Sequence, residues 1–152
     1  MTLYFAYGVN MERAGMAKRC PTATPLGPAL LSGWRYAIAQ GYGTVAPVPG
    51  ARVCGVLWRL TPRDLAALNI FESLDSGLYR RTMLTVETGS GRARALVYLA
   101  PMRGKRRPMP GYQERIIAAA CEWRLPERYI AELNRWAPGY RATHPAETGE
   151  IG

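Results

Sequence analysis

Proton transfer needs a group whose protonation can change near neutrality, and this chain offers few. Its 152 residues contain one histidine, His144, in a polar, proline-containing stretch, and three cysteines at positions 20, 54 and 121 without CxxC spacing. A zinc site or a Ser-His relay has almost no material to be built from. Chemistry here must rest on carboxylates, tyrosines and backbone groups. Glu72 is the carboxylate with informative spacing. Leu65, Leu68 and Glu72 stand at i, i+3 and i+7, so a helix running that far projects Glu72 from its apolar face. A carboxylate there is costly unless paired, hydrogen-bonded or facing a cavity, and burial raises its pKa toward the range useful for general acid/base work. The alternative is that the helix stops before Glu72 and the side chain swings into water. The second stretch is Tyr4-Phe5-Ala6-Tyr7-Gly8-Val9-Asn10. A strand that turns at glycine into a helix start leaves backbone N–H groups without partners, a corner that attracts anions such as a carboxylate. Such corners also occur with no function attached.

The elements that must position these groups are legible in part. Leu3, Phe5 and Tyr7 alternate with Tyr4 and Ala6, as in a short strand, and helical turns can follow from Met11. Residues 20–28 hold three prolines and read as a loop, 29–39 as a strand, 41–50 as an exposed Gly/Pro-rich connection, and 53–60 as an apolar strand. Thr61-Pro62-Arg63-Asp64 has the order of a helix start: an N-cap, proline in the first turn, and an acid at the positive end. Residues 73–78 read as a turn, 79–86 and 92–99 as strands joined by Thr88-Gly89-Ser90-Gly91, and 100–111 as a long surface loop. Tyr112 opens a helical stripe continued by Ile116, Ala119, Ala120 and Trp123, and a further helix begins after Leu125-Pro126. The expected architecture is α+β: five or six short strands in a small mixed, barrel-like sheet with flanking helices. Residues 1–137 form one domain in this reading, and 138–152 a polar C-terminal tail.

Composition narrows the class. Apolar residues make up 48% of the chain and charged residues 20%, which suits a compact fold rather than disorder. No apolar run approaches a membrane span and no signal peptide is visible, so a cytoplasmic protein without a membrane role is expected. The scattered cysteines fit a reducing compartment. The net charge of +9 includes a cluster, Arg103-Gly104-Lys105-Arg106-Arg107, but no helix carries a basic stripe and no nucleic-acid-binding signature is present. A nucleic-acid partner is not expected.

Taken together in chain order, these features resemble the γ-glutamylcyclotransferase family, which includes the AIG2-like proteins. The family's YGSN-type turn reads Tyr7-Gly8-Val9-Asn10 here. Its glutamate before a G-x-Y segment reads Glu72, then Ser76-Gly77-Leu78-Tyr79. Its P-x-x-Y helix start and following G/R-L-P correspond to Met109-Pro110-Gly111-Tyr112 and Arg124-Leu125-Pro126. The match runs from Leu3 to about Trp136. The resemblance implies a cofactor-free, metal-independent reaction, in which the α-amino group of a small γ-glutamyl compound attacks its own γ-carbonyl, giving 5-oxoproline and a freed amine. Glu72 would be the catalytic general acid/base. Tyr4, Phe5, Ala6, Tyr7, Gly8, Val9 and Asn10 would bind the glutamyl head group, with Tyr79 and Tyr112 as further substrate-binding residues. Two positions depart from the family: Val9 stands where serine is usual, and Ser73 where glycine is common. Either change could alter substrate choice or remove activity. The alternatives are the same chemistry on a γ-glutamylated specialised metabolite, or a carboxylate-binding module without turnover, its basic loop contacting an acidic partner. Oligomeric state and the amine side of the substrate are left open.

Overall fold

The computed structural model describes residues 1–72 and 79–140. Residues 73–78, expected as a turn and including Ser73 and Gly77, and residues 141–152 of the expected tail, including His144, lie outside the described residues. Five strands form one closed barrel in the order β1-β3-β2-β4-β5, with β1 and β5 completing the circle. They are β1 (Thr2–Ala6), β2 (Thr24–Ala39), β3 (Tyr42–Leu60), β4 (Arg80–Thr88) and β5 (Gly91–Leu99). Four flanking helices are α1 (Arg13–Arg19), α2 (Pro62–Phe71), α3 (Tyr112–Glu122) and α4 (Glu127–Leu133), with short 3-10 turns at Val9–Met11 and Asn134–Trp136. Every strand pairing is antiparallel except β1 with β5, which run parallel at Tyr4 and Leu96. The expected barrel-like α+β fold is what the chain adopts.

Two strands are far longer than expected, and the prolines misled for a physical reason. Residues 24–28 and 42–50 are not loops but the ends of β2 and β3. Pro25 and Pro28 pair with Trp58 and Val56, and Pro47 pairs with Trp34. Proline is tolerated at bulges and along an edge that needs no N–H. The ladder slips at both places, between Pro25 and Gly27 and between Ser32 and Trp34. The turn between β2 and β3 is only Gln40-Gly41. Both have positive φ, 55° and 87°, the two-residue geometry whose twist matches the strands it joins.

Packing brings the helices onto the barrel. Trp123 donates from Nε1 to the Met11 carbonyl at 2.6 Å and meets Trp58 edge-on at 6.0 Å, tying the end of α3 to the first 3-10 turn and to β3. Gln113, 1% exposed, accepts from the Tyr36 hydroxyl at 2.8 Å and donates to the Leu133 carbonyl at 3.0 Å, which joins α3, β2 and α4. At Gly55 a β-carbon would lie 2.3 Å from the Ala6 carbonyl and 2.8 Å from the Phe5 ring, so β1 can approach β3 only because no side chain stands there. The stretch from 138 begins less detached than its polarity suggested: Tyr140 still packs against the core. Among the described residues no helix is long and apolar enough to cross a membrane.

Candidate active site

Glu72 is the residue immediately after α2. That helix starts as expected: Thr61 accepts from the Asp64 N–H at 3.2 Å while Asp64 accepts from the Thr61 N–H at 3.0 Å, a reciprocal cap with Pro62 in the first turn. Its far end takes the helix stop from one reading of Glu72 and the inward side chain from the other. The regular helix stops at Phe71, yet Glu72 still donates its N–H to the Leu68 carbonyl and keeps its side chain inside. The carboxylate faces a cavity of about 320 Å³.

The cavity wall draws on separate parts of the barrel. β1 supplies Tyr4, the corner after it supplies Tyr7, Gly8, Val9 and Asn10, and Tyr79, Tyr98 and Tyr112 complete an aromatic enclosure. Phe5 and Ala6 do not line it. Alternation along β1 turns Phe5 into the core beside Gly55, and Ala6 is buried where it pairs with Val56. Asn10 is 2% exposed and donates from Nδ2 both to the Tyr4 hydroxyl at 3.0 Å and to Glu72 Oε1 at 3.2 Å. Gly43 acts as a bracket on the opposite wall. Its N–H donates to the Tyr112 hydroxyl at 3.0 Å, and its carbonyl accepts from the Tyr79 hydroxyl at 2.8 Å. Tyr98 donates to Asn69 Oδ1 at 2.6 Å, and the Tyr7 hydroxyl donates to the Tyr98 carbonyl. Tyr4 and Tyr112 each accept one bond and so can donate another.

Burial decides which of these groups titrates. It pushes the Glu72 carboxyl up to about 7, opposed in part by the Arg19 guanidinium. The carbonyl end of α2, carrying partial negative charge, acts in the same direction as burial. Burial likewise holds Tyr4, Tyr7, Tyr79, Tyr98 and Tyr112 above the ordinary phenol range, and the Glu72 charge adds to this in each case. The phenols are therefore neutral hydrogen-bonding groups, and Glu72 is the cavity group whose charge changes near neutrality. Among the described residues no group of three or more histidine, cysteine or acidic side chains could hold a metal ion.

Five wall residues escaped sequence reading: Tyr42, Gly43, Phe71, Tyr98 and Arg115. Tyr42 and Gly43 fall within residues 41–50, whose glycines and prolines predict an exposed connection but which from Tyr42 onward form the start of β3. Arg115 was accessible in principle, three residues after Tyr112 on one helix face. It stands at the cavity wall, bonded to Glu12 through Nε at 3.0 Å and Nη2 at 2.7 Å. The basic loop lies close by, since Gly41 donates to the Lys105 carbonyl at 3.1 Å and accepts from the Met109 N–H at 2.9 Å. Arg103, Lys105, Arg106 and Arg107 themselves are exposed.

Known proteins share this fold. The sequence profile of a family described as gamma-glutamyl cyclotransferase, AIG2-like, matches residues 4–125. The chain is 30% identical over 148 residues to a Homo sapiens gamma-glutamylcyclotransferase, covering 90% of this chain and 79% of that one. The Bos taurus protein of the same name is 29% identical over 148 residues with the same coverage. A solved structure of a gamma-glutamyl cyclotransferase superposes with a TM-score of 0.82 at 28% identity, covering 99% of this chain and 96% of that one. This chain belongs to the gamma-glutamyl cyclotransferase, AIG2-like family.

Proposed function

We propose that the protein is a cyclotransferase that releases 5-oxoproline from a small γ-glutamyl amine or amino acid, with Glu72 as general acid/base. The observation that carries this reading is a carboxyl group held near pH 7 in an aromatic cavity sized for a small molecule. The Gly8 and Val9 N–H groups lie at the start of a 3-10 turn that no side chain caps, and suit the substrate's α-carboxylate. Valine at position 9 removes a hydroxyl but keeps that N–H. Glu72 accepts one proton from the α-ammonium and the freed NH2 attacks the γ-carbonyl carbon. The added nitrogen sheds a second proton, both protons pass by way of Glu72 to the leaving nitrogen, and its C–N bond breaks. The ring keeps one N–H and the amine departs as an ammonium. Because attack is intramolecular, holding the substrate folded supplies much of the acceleration. Tyr4 and Tyr112 can donate to the polarised oxygens. The same reading takes residues 1–137 as one domain, with 138–152 as a tail, acting in the cytoplasm, where the buried Cys20, Cys54 and Cys121 suit a reducing environment.

The test is a panel of γ-glutamyl amino acids, amines, specialised metabolites and glutathione, assayed for 5-oxoproline. At least one is expected to be turned over, with kcat/KM rising as pH increases through about 7, since the base must be ionised. Glu72→Gln is expected to lose at least about a hundredfold in kcat while remaining folded. Full activity in that variant would overturn the assignment of Glu72. Binding of γ-glutamyl compounds by calorimetry without product would instead mark a binding module.

A further inference from the structure

Asn10 is a primary amide whose two ends differ only in hydrogen-bonding character, so its partners decide which way it faces. Its Nδ2 faces Glu72 and Tyr4, and its Oδ1 accepts from Arg19 Nε at 2.9 Å. Turned over, the amide would set oxygen against the Glu72 carboxylate and NH2 against the guanidinium. Arg19, the last residue of α1, is not among the cavity-lining residues. Its guanidinium sits 4.3 Å over the ring of Phe71, the residue before Glu72. It fits there because position 15 is glycine; a β-carbon at that point would come within 2.7 Å of Nη2. Nη2 is buried with no hydrogen-bond partner among the described residues. A buried guanidinium left partly unsatisfied weakens a fold, so stability alone does not account for it.

We propose that Arg19 is a positioning residue for Glu72. By locking the Asn10 amide, it keeps Glu72 Oε1 engaged and leaves Oε2 as the oxygen that exchanges the proton with the substrate's nitrogen. This rests on the reading of Glu72 as the proton carrier. The other groups facing Glu72 are phenols: Tyr4 from β1, Tyr7 just after it, Tyr79 before β4, Tyr98 from β5 and Tyr112 from α3. Arg115 stands farther out on the wall, paired with Glu12. Arg19 is the cation whose charge acts on the Glu72 carboxyl, favouring its ionised form.

The experiment compares wild type, Arg19→Met and Arg19→Lys in two readouts. One is the titration of the Glu72 carboxyl by 13C NMR, assigned with Glu72→Gln; the other is the pH profile of kcat and kcat/KM on the fastest γ-glutamyl substrate. Arg19→Met keeps the packing stem, so the protein is expected to fold. Its Glu72 titration and the acidic limb of kcat/KM should both move to higher pH, and kcat should fall roughly tenfold. Arg19→Lys restores the charge without the planar N–H donor, so the titration should return toward wild type while kcat stays low. A folded Arg19→Met with an unshifted Glu72 titration overturns the proposal, as does a lysine variant with wild-type kcat. Should wild type release no 5-oxoproline, the functional reading fails, and the NMR titration still decides the role of Arg19.

Discussion

Burying the Glu72 carboxylate comes at a cost to the fold. Its carboxyl titrates near 4.5 when exposed and near 7 in the folded chain, so the folded form holds the proton more tightly. The stability this contributes is fully present below 4.5 and is lost as pH rises through 7. Above that, wild type carries a buried carboxylate that a glutamine would not. Glu72→Gln is therefore expected to be more stable than wild type at pH 8, on the order of 2 kcal/mol, with the difference gone near pH 4. Urea denaturation at the two pH values measures this. Equal stability at pH 8 would mean the cavity solvates the carboxylate fully. The apolar face on which Glu72 falls was legible from spacing, whereas its orientation was not. The Asn10 and Arg19 side chains that hold it meet through the fold rather than through any periodic pattern.

At the scale of elements, α2 shows what local sequence can decide. Thr61, Pro62 and Asp64 announce its start because capping is settled within four residues. Asp64 does more than cap. It is buried, and its carboxylate also accepts from the Thr22 hydroxyl at 2.8 Å, joining the turn after α1 to the helix that leads into Glu72. Burial alone would raise its pKa; the bonds from Thr61 and Thr22 outweigh that and lower it. Asp64→Ala is expected to destabilise by about 2–3 kcal/mol, combining a lost cap with a lost buried charge-assisted network. Chemical denaturation gives the value, and a loss under 0.5 kcal/mol would show that Thr61 caps unaided. Prolines were the misleading signal elsewhere. In β2 and β3 they occupy bulges and edge positions that only the sheet's pairing reveals, so two long strands read as loops. Tyr42 and Gly43 were hidden by the same error.

For the whole molecule the decisive contact is the approach of β1 to β3 at Gly55. A methyl group at that position meets the Ala6 backbone at 2.3 Å and cannot be relieved by a side-chain rotation. Gly55→Ala is expected to cost more than about 3 kcal/mol or to prevent folding. It should also lower activity in whatever fraction folds, because β1 leads directly into the Tyr7–Asn10 corner. Thermal unfolding followed by circular dichroism tests this, and a variant with wild-type Tm would show that the strands can separate without loss. The barrel itself was legible from the chain order of the motifs. The close approach at Gly55 was not, since it depends on which strands become neighbours.

The seam between β1 and β5 has a kinetic side. β2 and β3 are joined by two residues and zip from that turn, whereas the Tyr7 hydroxyl meets the Tyr98 carbonyl across 91 positions of chain. Contacts between distant positions close late because their loop entropy must be met first. The cavity straddles this late-closing seam, with Tyr4 and Tyr7 on one side and Tyr98 on the other. The hairpin is therefore expected to form before the cavity does. Competence arrives only with completion of the ring, and a ligand spanning the seam favours the finished fold as a unit.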